Sequence, residues 1–437
     1  MKHSTWSALL LFSLPSIGMQ LVDNTYQVAD GYFISNYIGS SAFAAENIIF
    51  PPIIILTSTG LMFGNGTSAL ASYYLGQKDP KRANQLFTAM TVLLFLLGLA
   101  LSAGLYVMLP SLARFLGAPE EMIPSCVEYG QVLAVFMPLQ MLSMSFQPLL
   151  IAADRPGLGL TVSIVNALVN ISLDWYMVAV LRAGLFGAAL ATGIAWFISA
   201  FIPFLYFFRK TSLLHFAADM RFDFPAMLKA AYNGSSEMID SVAYAIVAIL
   251  FNSQLLRYSG ENGVASYAVT EYIGSIALAV FMGISMSITP QVGYTLGEGN
   301  KDELRRIRNT GALLMGTIGL IIAAFGFLSA DLVAGVFVGY DAALKATAVE
   351  ALMFIAVSYF PLGLTSFASA FFTGMNDGTY SLMIAASKSF VIPAVLLFVL
   401  PPFLGVRGIW LATPLAEIAT ILLAVLLFAS YKRRNLL

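Results

Sequence analysis

The sequence predicts an all-α integral membrane protein, built from twelve transmembrane helices in two six-helix lobes that are related by a pseudo-two-fold axis along the membrane normal. Three observations predict this fold class: the composition, the number of long apolar runs and an internal repeat. Of the 437 residues, 59% are hydrophobic and 10% are charged, whereas a soluble globular domain carries about 25% charged residues. The composition therefore predicts a protein of the lipid bilayer.

Twelve apolar runs reach the length of about 20 residues that a helix needs to cross a bilayer. Polar stretches such as "LGQKDPKRAN" and "LGEGNKDELRRIRN" separate them. The first run is interpreted as a membrane helix and not as a cleaved signal peptide, because no small-x-small cleavage site follows it. The predicted spans are 8–36, 43–74, 86–113, 124–151, 157–181, 184–208, 229–257, 263–294, 307–338, 345–373, 379–403 and 406–431.

The basic residues predict the orientation of these spans. An even number of spans places both termini on one side of the membrane. Of the 22 Lys and Arg residues, 16 fall on that side, five fall on the other and Lys388 lies within a helix. By the positive-inside rule, both termini are expected to be cytoplasmic, in the cell (inner) membrane. The 16 residues are Lys2, Lys78, Lys81, Arg82, Arg155, Arg209, Lys210, Arg221, Lys229, Lys301, Arg305, Arg306, Arg308, Lys432, Arg433 and Arg434.

An internal repeat divides the chain into two halves. A constant offset of 221 residues brings "Tyr73, Leu75, Gly76" onto "Tyr294, Leu296, Gly297" and Gly184 onto Gly405 without a gap. The predicted domains are an N-terminal six-helix lobe over 1–208, a cytoplasmic linker over 209–228 and a C-terminal six-helix lobe over 229–437. Two such lobes of equal orientation enclose a central cleft, which is a transporter architecture.

Ionisable side chains inside the spans need a reason, because each costs at least about 2.5–3.5 kcal/mol on insertion scales. Asp23 and Asp30 lie seven residues apart in the first span, and Asn166, Asn170 and Asp174 lie four residues apart in the fifth. On a helix, a spacing of four advances by about 40° per step, so the last three form a polar seam. The second half has lost the four polar residues Asp30, Asn166, Asn170 and Asp174. In their places, the 221 offset puts Phe251, Ser387, Val391 and Val395.

The chemistry of such a seam suits a monovalent cation. Two carboxylates in a medium of low dielectric constant cannot both stay ionised at low cost, so the site is expected to take up a proton or to exchange it for Na⁺. Apart from this coupling ion, no cofactor is expected. The single cysteine, Cys126, and the two histidines, His3 and His215, which lie outside the apolar runs, exclude the usual transition-metal sites.

Several motifs resemble the multidrug and toxic compound extrusion (MATE) transporters over nearly the whole chain. They are "LPSIGMQLVDNTYQVADGYFISNYIG", "GNGTSALASYYLGQKDPKRA", "VNISLDWYMV" and "GLFGAALAT", with second copies in "ITPQVGYTLGEGNKDELRR" and "GVRGIWLATPLAE". In that family the N-terminal lobe binds the coupling cation through helices 1, 5 and 6. The resemblance thus implies a cation-coupling site of Asp30, Asn170, Asp174 and Thr192, with Asn166 one turn beyond. Alternatively, the two amides bond neighbouring helices and Thr192 is a packing residue.

Further charges are expected near the cleft. Glu237 and Asp240 begin the seventh span, where acids favour the first helical turn. The resemblance offers an alternative for Glu237, because some branches of the family also use acids in the C-terminal lobe. Glu46 and Glu271 are expected to face the cleft. Lys388, about 15 Å into its helix, is expected to pair with Glu417 or Glu271. The candidate additional cavity charges are Asp23, Glu237, Glu271 and Lys388.

The predicted function is efflux of organic compounds by antiport against H⁺ or Na⁺ through alternating access. The substrates are expected to be small amphipathic or cationic organic molecules, and the protein to be a monomer. Two alternatives stay open: a lipid-linked oligosaccharide flippase, which is expected to need several cavity bases, and an exporter of a specific metabolite. No nucleophile or metal motif indicates an enzyme, no GxxxxGK[ST] loop indicates an ATPase, and no basic patch indicates nucleic-acid binding.

Overall fold

The computed structural model describes residues 5–433, apart from the side chain of Lys432, and this part of the chain is helical almost throughout and contains no strand. Lys2 and Arg434, on which the orientation prediction partly rests, and His3 lie outside the described residues. The helices are α1 (Trp6–Phe33), α2 (Ser40–Gly76), α3 (Pro80–Phe115), α4 (Ile123–Ala152), α5 (Pro156–Asp174), α6 (Gly184–Phe207), α7 (Phe224–Asn233), α8 (Ser235–Gly297), α9 (Lys301–Leu328), α10 (Ala330–Val338), α11 (Ala342–Gly374), α12 (Gly378–Ala386), α13 (Ile392–Val399), α14 (Pro401–Leu404) and α15 (Val406–Arg433).

Twelve membrane spans are confirmed in the described residues. Eleven helical stretches are long and apolar enough to cross a membrane, and one of them, Phe224–Gly297, has 74 residues. Its main helix, α8, breaks at Gly260, where φ is 63°, so this stretch supplies two spans. The protein is thus a multi-pass membrane protein.

Two predicted boundaries differ from the structure. The span predicted over 307–338 ends at Leu328, and the short helix α10 follows it with Asp331 in its first turn; an acid there marks the water boundary. In the linker predicted over 209–228, α7 already begins at Phe224, because the Asp223 carboxylate accepts a hydrogen bond from the Ala226 N–H (3.2 Å) and caps the helix.

The internal repeat is visible in the backbone. Gly39 and Gly260 connect the first two helices of each half, and both have a positive φ, of 123° and 63°. Gly184, the first residue of α6, and Gly405, directly before α15, stand at the start of the last helix of each half with φ of 63° and 59°. Glycine is the residue that adopts this region without strain, so the same turns recur 221 residues apart.

Each half has its own hydrophobic core. One core is made of residues between Ile34 and Ala230, and the other is made of Leu9 and residues between Phe251 and Tyr431. We call α1 to α6 the N-lobe and α8 to α15 the C-lobe. The membrane side on which Thr5 and the last described residue lie is called the terminal face.

The two lobes meet near the terminal face through the ends of α2 and α8. A Cβ atom at Gly76 would overlap the carbonyl oxygen of Tyr294, and a Cβ atom at Gly297 would overlap the carbonyl oxygen of Tyr73. The two glycines are equivalent positions of the repeat, so the contact follows the two-fold relation between the halves. The backbones of the lobes touch here without intervening side chains.

Further contacts on the same half of the molecule hold the lobes together. Gly66 of α2 lies against Ala230 and Gly234, whose backbones leave no room for a Cβ atom. In α1, the Ser16 hydroxyl accepts a hydrogen bond of 2.9 Å from Ser287 of α8. The lobes are therefore closed on the terminal half.

The linker between the lobes lies on the start of α3. The Asn84 side-chain oxygen accepts a hydrogen bond from the backbone N–H of His215 (2.8 Å). The ammonium group of Lys81 lies 3.0 Å from the carboxylate of Asp219, and this hydrogen bond lowers the pKa of Asp219. The linker is thus a docked segment of the structure.

Candidate functional site

Four of the predicted coupling residues form one buried pocket in the N-lobe. Asp30 on α1 is 5% exposed, and Asp174, the last residue of α5, is fully buried. The Asp30 carboxyl group lies against the Asp174 carboxyl group and the Thr192 hydroxyl. The side-chain amide of Asn170 donates to the Thr192 hydroxyl at 3.2 Å. We call Asp30, Asn170, Asp174 and Thr192 the N-lobe pocket.

The pocket contains more acceptors than the protein satisfies. Oδ1 of Asp30, both carboxylate oxygens of Asp174 and Oδ1 of Asn170 are buried without a hydrogen-bond partner. Each such atom costs about 1–3 kcal/mol, and more when it is charged. Oxygen atoms are the ligands that hard cations prefer, and a carboxylate can also accept a proton. The pocket is therefore suited to hold a monovalent cation.

The backbone changes its pitch directly after one of the two acids. The segment Trp175–Val180, which follows Asp174, is π-helical, and so are Ile34–Ile38 after α1 and Ser387–Val391 after α12. Short π-helical turns are frequent at functional sites because they displace the ladder of backbone hydrogen bonds. The segment Trp175–Val180 thus places a wider helical turn next to the Asp174 carboxyl group.

Asn166 lies at a different place from the rest of the seam. Its side chain contacts the hydroxyl of Tyr26, which also contacts Trp196, and it lines the central cavity. Asp23 also lines this cavity and accepts a hydrogen bond of 3.0 Å from the Gln147 side chain. These two predicted site residues therefore belong to the cavity wall.

Two side chains near the N-lobe pocket are missing from the predicted set of coupling residues. Glu46 on α2, expected in the cleft, lies instead inside the N-lobe, 8% exposed and close enough to Asp30 and Asp174 for charge interaction. The fully buried Tyr129 on α4 is also close enough to these carboxyl groups for charge interaction. The sequence signal for Glu46 was an acid inside an apolar span, but one sequence does not show which helix packs beside it.

A central cavity of about 610 Å³ lies between the lobes. Its wall combines apolar, aromatic and polar side chains from both lobes, as in ligand sites that orient organic molecules with a few polar groups. The ionisable members of the wall are Asp23, Glu237, Asp240, Glu271, Lys388 and Glu417.

The C-lobe wall contains an ion pair that the sequence assigned to other partners. The Lys388 ammonium lies 3.2 Å from the Asp240 carboxylate, whose other oxygen accepts a hydrogen bond of 2.5 Å from Ser389. Glu417, one predicted partner, accepts a bond of 2.6 Å from Thr365 and acts on Lys388 through its charge. The expected direct pairing with Glu417 or Glu271 is therefore wrong, because α8 places Asp240 nearer.

The remaining predicted acids also lie in the C-lobe wall. Glu237 on α8 is close to both Asp240 and Lys388. Glu271, on the second half of α8, accepts hydrogen bonds from the hydroxyls of Tyr244 and Tyr267. The C-lobe wall therefore combines one ion pair with acids held by hydroxyl groups.

We expect Lys388→Met to lower the thermal stability of the protein, because Asp240 and its neighbouring acids lose their cation. Breaking a fully buried ion pair costs about 3–5 kcal/mol, and a smaller loss is expected here since the Asp240 side chain is 29% exposed. Thermal unfolding in detergent, followed by tryptophan fluorescence, measures the change. The double variant Lys388→Met/Asp240→Asn should recover most of the loss.

The matched control is Lys345→Met, which removes an ion pair of 2.8 Å with Asp331 away from the cavity, where the Asp331 side chain is 78% exposed. Exposed pairs contribute about 0–1 kcal/mol. A Lys388→Met variant that unfolds at the same temperature as Lys345→Met would contradict a structural role for the cavity ion pair.

The chain was compared with known proteins. It matches the family described as MatE over residues 15–176 and 237–399. It is 23% identical over 434 residues to "Probable multidrug resistance protein YoeA" of Bacillus subtilis (strain 168), covering 97% of this chain and 93% of that protein. It is 24% identical over 440 residues to "Multidrug export protein MepA" of Staphylococcus haemolyticus (strain JCSC1435), covering 99% of this chain and 95% of that protein.

A solved structure has the same fold. It shows the outward-facing conformation of a multidrug resistance MATE family transporter of the MOP superfamily, and it superposes with a TM-score of 0.90 at 22% identity. The match covers 97% of this chain and 96% of the other. At this level of identity, the likeness shows the shared fold alone.

Proposed function

The chain belongs to the MatE family, whose members are transporters and not enzymes, and from this premise we propose that it exports organic compounds across the cell membrane in exchange for a cation. The observation that carries the proposal is the buried pair Asp30 and Asp174, three of whose four carboxylate oxygens lack hydrogen-bond donors in the described residues. A cation in this pocket removes the unfavourable charge that the pair otherwise carries. We propose that the cation is H⁺, which two adjacent carboxyl groups can share.

Binding of the cation can drive transport if the two access states of the protein bind it with different affinity. The pocket lies inside the N-lobe, and Asn166, Tyr26 and Trp196 belong to the part of the cavity wall beside it. A change of charge at Asp30 therefore acts on the helix that also carries Tyr26 and Asp23. Through α1, occupation of the pocket changes the wall against which a substrate packs.

The cavity supports organic cations as the substrate class. It has five acids and one base among its described lining residues, and the base, Lys388, is already paired with Asp240. A flippase for lipid-linked pyrophosphates would need several free bases, so this wall favours export of cations over the flippase alternative. The two relatives named above carry multidrug names, which supports a broad range of substrates.

The distribution of basic residues supports a cytoplasmic terminal face, in the cell membrane. The lobes are closed on that half by the contacts of Gly76 and Gly297. We therefore assign this structure to the outward-open state of an alternating-access cycle.

Reconstitution into liposomes tests the proposed function. A fluorescent monovalent organic cation is followed under an imposed pH gradient, and separately under a Na⁺ gradient of equal size. Accumulation that follows the pH gradient supports the proposal. Accumulation that follows only the Na⁺ gradient would identify Na⁺, and not H⁺, as the coupling ion. No accumulation under either gradient would exclude organic-cation antiport and favour the metabolite or flippase alternative.

A further inference from the structure

Glu46 is a third carboxyl group beside the N-lobe pocket. It lies on α2, and its Oε2 atom is buried without a hydrogen-bond partner. Its surroundings are apolar: Ala45 and Ile49, on either side of it in α2, are fully buried, and α4 packs against this turn, with the Cys126 thiol 3.8 Å from the Ala45 carbonyl. The Oε2 atom of a carboxylate here has no donor among the described residues to stabilise its charge.

A second side chain points to a ligand between these acids. The Tyr129 hydroxyl is fully buried and has no hydrogen-bond partner. It is close enough to Asp30, Glu46 and Asp174, and to Tyr26 on α1, for charge interaction. A phenol hydroxyl is both a donor and an acceptor, and this one is left unpaired in the surroundings of three carboxyl groups. A buried polar group without a partner requires an explanation, and a change in the protonation of the neighbouring acids supplies one.

The charge balance of the cluster requires more than one cation. Three ionised carboxyl groups carry three negative charges. Each of them interacts with the charge of another member of the three. The facing titratable groups are Tyr26 and Tyr129, which are neutral in their ordinary form. One bound proton would leave two buried charges without a counter-ion, whereas two protons leave a single charge that hydroxyl and amide donors can hold.

We propose that Glu46 is a second cation-accepting group, so that the N-lobe takes up two cations in each transport cycle. The inference rests on the proposed function, in which the N-lobe pocket is the coupling site. Asp30 and Asp174 share the first cation, and Glu46 accepts the second, with the unpaired Tyr129 hydroxyl in its surroundings. The pocket is thereby extended from α1, α5 and α6 to α2 and α4.

The number of cations is measured by the accumulation of substrate at equilibrium. Liposomes are clamped at zero membrane potential, and a tenfold gradient of the coupling ion is imposed. Two cations per substrate give about 100-fold accumulation, and one cation gives about tenfold, because the gradient enters once for each exchanged ion. We expect about 100-fold for the wild type and for Glu46→Asp, and about tenfold for Glu46→Gln.

The matched control is Glu128→Gln, an identical substitution next to Tyr129 but on the exposed face of α4. It should accumulate substrate as the wild type does. A wild type that reaches only about tenfold, or a Glu46→Gln variant that still reaches about 100-fold, would overturn the inference.

A binding measurement covers the case in which Glu46→Gln folds but does not transport. Protons released when the organic cation binds are counted by calorimetry in buffers of different ionisation enthalpy. We expect one proton fewer for Glu46→Gln than for the wild type, and an equal count overturns the inference. The proposed function fails separately, when the wild type is driven by neither gradient or when Asp30→Asn stays fully coupled.

Discussion

Asp30→Asn is expected to lose ion-driven accumulation completely, so that the ratio of substrate inside to substrate outside falls to about 1. The amide cannot take up a proton, and it removes one of the two charges that a cation would balance. Asp174→Asn should have the same effect, because its carboxyl group lies against that of Asp30. The measurement is accumulation in liposomes under the gradient that drives the wild type.

The matched control is Glu121→Gln, which changes an exposed acid in the loop before α4 and should leave accumulation unchanged. Stability separates a coupling role from a structural one. Since the two carboxyl groups repel each other and three of their four oxygens lack donors in the described residues, Asp30→Asn should unfold at the temperature of the wild type or above it. An Asp30→Asn variant that accumulates substrate normally would remove the N-lobe pocket from the mechanism.

Gly76→Ala is the second change with a large expected effect, because its Cβ atom would overlap the carbonyl oxygen of Tyr294 in the other lobe. Overpacking of this kind costs about 1–3 kcal/mol. Alanine also favours a helix over glycine by about 1 kcal/mol, so the penalty falls on the contact between the lobes and not on α2. The closed terminal face should be depopulated by roughly fivefold or more.

Labelling of an introduced cysteine measures this shift. In a Ser275→Cys background, the probe lines the cavity, and the native Cys126 is buried. A membrane-impermeant thiol reagent added opposite the terminal face should react more slowly when Gly76→Ala is present. Gly104→Ala is the control, since a Cβ atom there meets nothing within 4 Å. Equal labelling rates in both variants would show that this contact does not set the access state.

Sequence reasoning predicted the spans because composition, hydropathy and the repeat all depend on properties of single segments. It predicted the acids of the pocket for the same reason: an ionised group inside a span requires an explanation wherever it packs. It did not predict that Asn166 lies in the cavity wall while Asp174 lies in the N-lobe pocket. Two steps of about 40° turn the helix by about 80°, which is enough to direct Asn166 to Tyr26 and the cavity.

The interactions that were missed are those between helices distant in sequence. Glu46 is placed beside the coupling acids by the packing of α2 on α4, which no periodicity reveals. Asp240 was interpreted as an acid of a first helical turn, and its pairing with Lys388 depends on the approach of α8 to the segment after α12. The repeat identified Gly76 and Gly297 as equivalent, but not that they touch.

The contact between Gly76 and Gly297 has a consequence for the ion gradient across the membrane. Main chain against main chain leaves no room for a continuous file of water, along which protons could pass. A carrier that is driven by an ion gradient would dissipate that gradient through any wet gap left on its closed side. Under the proposed function, glycine at both positions therefore helps to insulate the membrane at this contact, and it does so without a side chain that has to move first.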